Sequence, residues 1–430
     1  MTRKTAVPVV FAALLAVPAA AQQPSFAKYV AVGDSLTAGF SNLSLVVGHQ
    51  AASWPFLLAH QAAIGASSFQ QPYVTDPGIP AELALLSLSP SPVIAPKSTD
   101  TGLPANYALD RPYDNLAVPG ATSVDVLTRT TGGLHDIILR GKGTQLQQAA
   151  SLAPTFVTVW IGSNDVLGAV TAGRAVDGET MVPLPAFRAA YAQILATLVH
   201  TGATVVTATI PDVTAVPFAN AIPPVVVDPA TGKPVLVGGR TVPLIGPSGP
   251  LPADAKVTLG ASPLLAKGVG IPAALGGSGE PLPDEVVLDP TELATIRERV
   301  NAINQSIRDI AGAAGVSVLD LNAFITDLLT NGRSYAGVNL DGAFLTGGLV
   351  GYDGVHPTNI GYAFLANAWI DFLNSQKGTH LAQVPLAPYI FGTSTASSIS
   401  LARAPGGTAY EFSQEAYDLL RALFPPVTAH

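Results

Sequence analysis

At 430 residues the chain is long enough for one large domain with decorations or two modest ones, and its formal net charge of −8 argues against nucleic acid, whose binding needs clustered Lys and Arg. It has no cysteine, which excludes a disulfide framework, a thiolate nucleophile, Cys-ligated zinc and a lipoprotein anchor. Apolar residues make up 48 % and charged residues 12 %, too rich an apolar share for a disordered chain.

Residues 1–21 read as a secretory leader. Arg3 and Lys4 open it, "AVPVVFAALLAVP" forms its apolar middle, and Ala19-Ala20-Ala21 before Gln22 offers a small-residue cleavage site. The middle is too short, and too broken by Pro8 and Pro18, to span a bilayer. The expectation is an exported protein, secreted or periplasmic, without stable membrane insertion.

Five apolar, β-branched runs then predict buried parallel strands: "KYVAVG" (28–33), "DNLAVPG" (114–120), "TFVTVWIG" (155–162), "ATVVTATIP" (203–211) and "VSVLDL" (316–321). Amphipathic helices fit between and after them, at 186–202, 290–312 and 359–375. In the second, Leu293, Ile296, Val300, Ile303, Ile307 and Ile310 recur at helical spacing while Arg297, Glu298 and Arg308 face out. Strand and helix in alternation predict an α/β fold, an open parallel sheet of five strands covered on both faces, with the working site at the carboxyl ends of the strands. Ser35, Gly120 and Asn164 each sit just past such an end.

Two regions break the alternation. Residues 76–112 are Pro- and Ser-containing with little periodicity, and residues 217–289 are dense in Pro and Gly, with hairpin-like pieces such as "PPVVVDPATGKPVLVGG". A connection as long as the second reads as a lid, a cap or a surface decoration. The organisation expected is a leader over 1–21, a catalytic-type domain over 24–378 carrying the 217–289 insertion, and a tail over 379–430 ending in the amphipathic "SQEAYDLLRALF".

Four short pieces need a common explanation: "GDSL" (33–36), "NLAVPGAT" (115–122), "IGSND" (161–165) and "YDGVHPTN" (352–359). A given tetrapeptide occurs by chance about once in 10⁵ positions. Together and in this order, the pieces resemble the sequence blocks of the GDSL, or SGNH, hydrolases, which are esterases and lipases. The resemblance runs from about residue 28 to 376, leaving out the two irregular regions. It implies a flavodoxin-like three-layer α/β/α fold and a serine ester hydrolase with Ser35, Asp353 and His356 as catalytic residues. Ser35 and Gly120 would supply backbone N–H groups, and Asn164 its side-chain amide, to the oxyanion.

The chemistry of the residues agrees with that implication. A serine hydroxyl needs a neighbouring base, and His356 can take its proton and pass it to the leaving alcohol. Asp353, three residues earlier, can fix the far nitrogen of the ring, with Gly354 permitting a tight turn and Pro357 opening the next helix. Each residue also has a plainer reading: Ser35 as a helix cap, Gly120 as a turn glycine, Asn164 as a loop residue. Asp34 and Asp165 read as structural, and Asp212 stays outside the catalytic set. His49, His60, His135, His200, His380 and His430 have no companions at ligand spacing, so neither a metal nor a cofactor is expected.

The substrate implied is a small-molecule or lipid acyl ester. A carbohydrate acetyl esterase, a lysophospholipase and a thioesterase share every one of these residues, and a non-catalytic binding module is the reading from another class. Of three tryptophans, Trp160 falls in a strand and Trp369 on a helix, leaving Trp54 free as a sugar platform. Oligomeric state is not readable from the sequence.

Overall fold

The structure is a computed structural model describing residues 23–88, 92–391 and 410–425, so the expected leader over 1–21 lies outside the described residues. The central sheet has four parallel strands, β1 (Tyr29–Gly33), β2 (Phe156–Trp160), β3 (Thr204–Ala208) and β4 (Ser317–Leu319), adjacent in that order. Tyr29 pairs with Phe156, Phe156 with Thr204, and Val206 with Ser317. Alternate residues of β1 enter two separate cores. Val30 and Val32 join one with Val157 and Val159, while Tyr29 and Ala31 join the other with Phe156 and Trp160. The period of two in a strand covered on both faces produces this division.

The fifth predicted strand is corrected by the structure. Residues 114–120 lie beside β1 on its free edge, with Ala31 N–H donating to the Asp114 carbonyl at 2.8 Å and Leu116 N–H to the Ala31 carbonyl at 2.9 Å. They form only an isolated parallel bridge, Ala31 to Asn115. The Asn115 side chain accepts from Ala117 N–H and donates to the Thr37 carbonyl, and such local bonding competes with a ladder. Counting that run second, the spatial order is 2-1-3-4-5, the flavodoxin-like order, whose winding reverses between β1 and β2.

Two helical layers enclose the sheet. On one side lie α4 (Leu184–His200) and α5 (Pro290–Ala313), which carries the predicted apolar stripe. Asp289 caps α5, accepting from Thr291 and Glu292 N–H at 2.7 and 2.8 Å, while Glu292 returns a bond to Asp289 N–H. On the other side α2 (Trp54–Gln61) packs with α6 (Asn359–Lys377). There Trp54 is fully buried and stacked on Trp369, ring centroids 4.7 Å apart. Trp54 therefore belongs to the core and is not free to hold a sugar.

The regions outside the alternation meet one another. Leu83–Ser87 and Val93–Pro96 pair antiparallel, and Glu411–Phe412 of the tail adds to Val93–Pro96 as a third, parallel strand. Residues 217–289 hold short antiparallel ladders and bury Val226, Leu244, Leu251, Val257, Leu259 and Leu282 in the same core as α4 and α5. The tail then continues as α7 (Gln414–Leu423), capped by Ser413 and burying Ala416, Tyr417 and Leu420. Among the described residues no helix is long and apolar enough to cross a membrane.

Candidate active site

Ser35 opens α1 (Ser35–Ala38) directly after β1. Asp34, not Ser35, caps that helix: its Oδ1 accepts Leu36 N–H at 3.0 Å. Gly33 is required by close approach, since a Cβ there would come within 2.6 Å of the Trp160 carbonyl on β2. Across the switch point, Asn164 opens α3 (Asn164–Ala172) after β2. Its Nδ2 donates to the Ala121 carbonyl at 2.9 Å, which uses one of its two amide hydrogens. Gly120 adopts φ +82, a left-handed conformation that a side chain would strain. The Ser35 turn, the Gly120 loop and the Asn164 helix thus share one edge of the sheet.

His356 and Asp353 are joined within the loop that leads into α6. His356 Nδ1 lies 2.9 Å from Asp353 Oδ2. Asp353 Oδ1 accepts Val355 and His356 N–H, both at 2.8 Å, and Oδ2 also accepts Leu43 N–H at 2.6 Å. Burial alone would raise the carboxyl, but the His356 charge, the His356 ring bond and the His356 and Val355 N–H donors hold it below the usual Asp value. Gly354 makes the turn at φ +71, and the Phe218 backbone nitrogen stands 2.8 Å from where its Cβ would be. Pro357 does not open α6 as expected; Thr358 is the cap and Asn359 the first residue.

The loop around His356 is polar, yet the ring itself is fully buried. Phe40 meets it edge-on with centroids 4.9 Å apart, and Phe424 stacks on it at 5.7 Å. With Nδ1 committed to Asp353, Nε2 is buried without a hydrogen-bond partner. An imidazole oriented at one nitrogen and open at the other is the arrangement a general base requires. Tyr362 of α6 ties this loop to the Ser35 turn, its hydroxyl donating to the Phe40 carbonyl at 2.5 Å and the Ser35 carbonyl at 3.3 Å.

Two buried carboxylates lie behind the site. Burial raises Asp34 to about 7, with Asp165 adding repulsion. Burial likewise raises Asp165 to about 7, although it accepts the N–H and hydroxyl of Ser123, next to the Gly120 loop. Asp212 accepts Thr214 N–H and shapes its own loop.

The sequence alone does not show what supports the Asp353–His356 loop. Asn42 Oδ1 accepts Tyr352 N–H at 2.8 Å, while its amide donates to Glu82. Glu82 also pairs with His49 at 2.7 Å and Lys97 at 2.8 Å. His49 thus has a companion after all, a carboxylate 33 residues away that no local spacing reveals. Among the described residues no group of His, Asp and Glu is arranged to hold a metal.

The sequence profile of the GDSL-like lipases and acylhydrolases matches residues 29–369. The chain belongs to that family. No curated protein matches it in sequence. Among solved structures it is similar to an acetylxylan esterase from Geobacillus stearothermophilus, at 12 % identity and TM-score 0.39, covering 84 % of this chain and 99 % of that one. It is also similar to the esterase EstA from Pseudoalteromonas sp., at 12 % identity and TM-score 0.34, covering 82 % and 100 %. A lipase/acylhydrolase from Enterococcus faecalis matches at 14 % identity and TM-score 0.32, covering 83 % and 100 %. As a GDSL-like hydrolase, the chain carries all four family blocks at one edge of its sheet.

Proposed function

We propose that this GDSL-like hydrolase is a serine esterase that cleaves acyl esters through an acyl-enzyme on Ser35. The observation that carries the reading is the buried His356, bonded to Asp353 at Nδ1 and unpartnered at Nε2. In this reading Nε2 takes the Ser35 hydroxyl proton as the oxygen attacks the ester carbonyl. The tetrahedral oxyanion rests on the Ser35 and Gly120 N–H groups and the second Asn164 amide hydrogen. His356 then protonates the departing alcohol, and later activates the water that frees the acid.

Residues 217–289 wall this site in our reading, with Phe218 and Leu259 pressed against Gly354. All three tryptophans are buried, which leaves a glycan without a tryptophan platform and favours simple or lipid acyl esters. We assign residues 1–21 to an export leader. The test is turnover of p-nitrophenyl esters from acetate to palmitate by the wild-type chain and by Ser35→Ala. Loss of turnover in the variant is expected, and equal rates from the two would overturn the mechanism.

A further inference from the structure

The described part of the tail ends on the catalytic centre. Phe424 stacks on His356, and a Cβ added at Gly120 would come within 2.5 Å of the Leu423 carbonyl oxygen. A Cβ added at Gly168, on the helix that Asn164 opens, would lie 3.8 Å from the Pro425 carbonyl oxygen. A carbonyl beside the oxyanion glycine, followed by an apolar group over the base, is the chemical pattern of an acyl ester. Beneath it Ser35 is 3 % exposed, while Asp353 and His356 have no exposed surface. No ester reaches a serine enclosed in that way until something moves.

Both irregular regions hold the tail in place. Glu411 N–H donates to the Pro92 carbonyl at 2.7 Å, and Ser413 N–H to the Ile94 carbonyl at 3.0 Å. Ser262 Oγ donates to the Tyr410 carbonyl and accepts Phe412 N–H, at 2.9 and 3.0 Å. The Tyr417 ring lies on Gly260, and its hydroxyl donates to the Glu285 carbonyl at 3.3 Å. Glu415, Asp418 and Arg421 face solvent, and among the described residues no ion pair joins this segment to the body. The attachment is apolar burial plus main-chain hydrogen bonds, which an apolar ligand can compete with.

We propose that residues 410–425 occupy the acyl-ester groove as an intramolecular competitor, so that the groove takes an apolar acyl chain only when this segment lifts away. The inference rests on Ser35 being the nucleophile. Its test places a site-specific protease sequence between residues 400 and 401 of the full chain, which folds intact and is then cut. The intact and cut proteins are compared for p-nitrophenyl octanoate turnover and for labelling of Ser35 by a fluorophosphonate, read by mass. After cutting and removal of the fragment, kcat/KM and the labelling rate should both rise at least about tenfold. A synthetic peptide of residues 410–425 should reverse the gain by raising KM. Phe424→Ala in the uncut chain should raise both rates in the same direction, without demanding that the fragment-free protein remain soluble. Labelling and turnover that stay within about twofold after cutting, and in Phe424→Ala, would overturn the occupied groove while leaving the Ser35 mechanism intact. Absence of Ser35 labelling in every form would overturn both.

Discussion

Replacing Asp34 by Asn tests whether burial, aided by repulsion from Asp165, keeps a proton on the carboxyl beside Ser35. Asp34 is enclosed by the protein, one oxygen accepts Leu36 N–H, the other has no partner, and its pKa is raised from 3.8 to about 7. The folded protein then binds a proton that the unfolded chain has already released. The contribution of this group to stability is full below about pH 3.8, falls as pH rises, and levels off above about pH 7. At 1.36 kcal/mol per unit, the loss between about pH 5 and about pH 8 is about 2.5 kcal/mol. Asn cannot titrate, and Asp165 titrates in both proteins, so the stability of Asp34→Asn relative to wild type should improve by about that amount over the same interval. Urea unfolding of both proteins at the two pH values measures it. A difference between them that is constant to within about 0.5 kcal/mol would refute the reasoning.

Asp353→Asn puts an amide where Leu43 N–H and His356 Nδ1–H both need an acceptor, so kcat on p-nitrophenyl esters should drop by about 10³-fold or more with KM little changed. For Glu82 burial would raise the carboxyl, but His49, Lys97 and Asn42 together lower it from 4.5 to about 2. Its contribution is therefore present above about pH 4.5 and lost as pH falls through about 2, and Glu82→Gln should cost about 1–3 kcal/mol in urea unfolding near neutral pH and less near pH 3. Trp369→Leu removes the ring stacked on Trp54 and should destabilise by about 3 kcal/mol in the same assay, with no change in the pH dependence of turnover.

What the sequence disclosed and what it hid divide along physical lines. The stripe from Leu293 to Ile307 was legible because a helix imposes its period on residues close in the chain. The family was legible because turns after strands leave short motifs, and Asp353 and His356 do meet through three residues of local turn. The strand over 114–120 was overcalled because hydrophobic patterning cannot register that Asn115 spends its amide on Thr37. Trp54 was misplaced because its partner Trp369 stands more than 300 residues away. Separation along the chain also hid Leu43 on Asp353, Glu82 beside His49 only 33 residues away, and above all the return of the tail to His356. Local grammar reports the family's motifs; it says little about which distant segment packs on them.

The hydrogen bond from Leu43 to Asp353 spans 310 residues, and the ring that lies on His356 belongs to residue 424. During synthesis at about 5 to 20 residues per second, Leu43 would emerge about 15 to 60 s before the Asp353 loop that it bonds. Over that interval Leu43 N–H has no Asp353 to donate to, and the turn after Ser35 lacks one of the bonds that hold it in the fold. By the same rate the Phe424 ring follows the His356 loop by about 3 to 14 s, so the ring that covers the imidazole reaches it well after the loop itself has emerged.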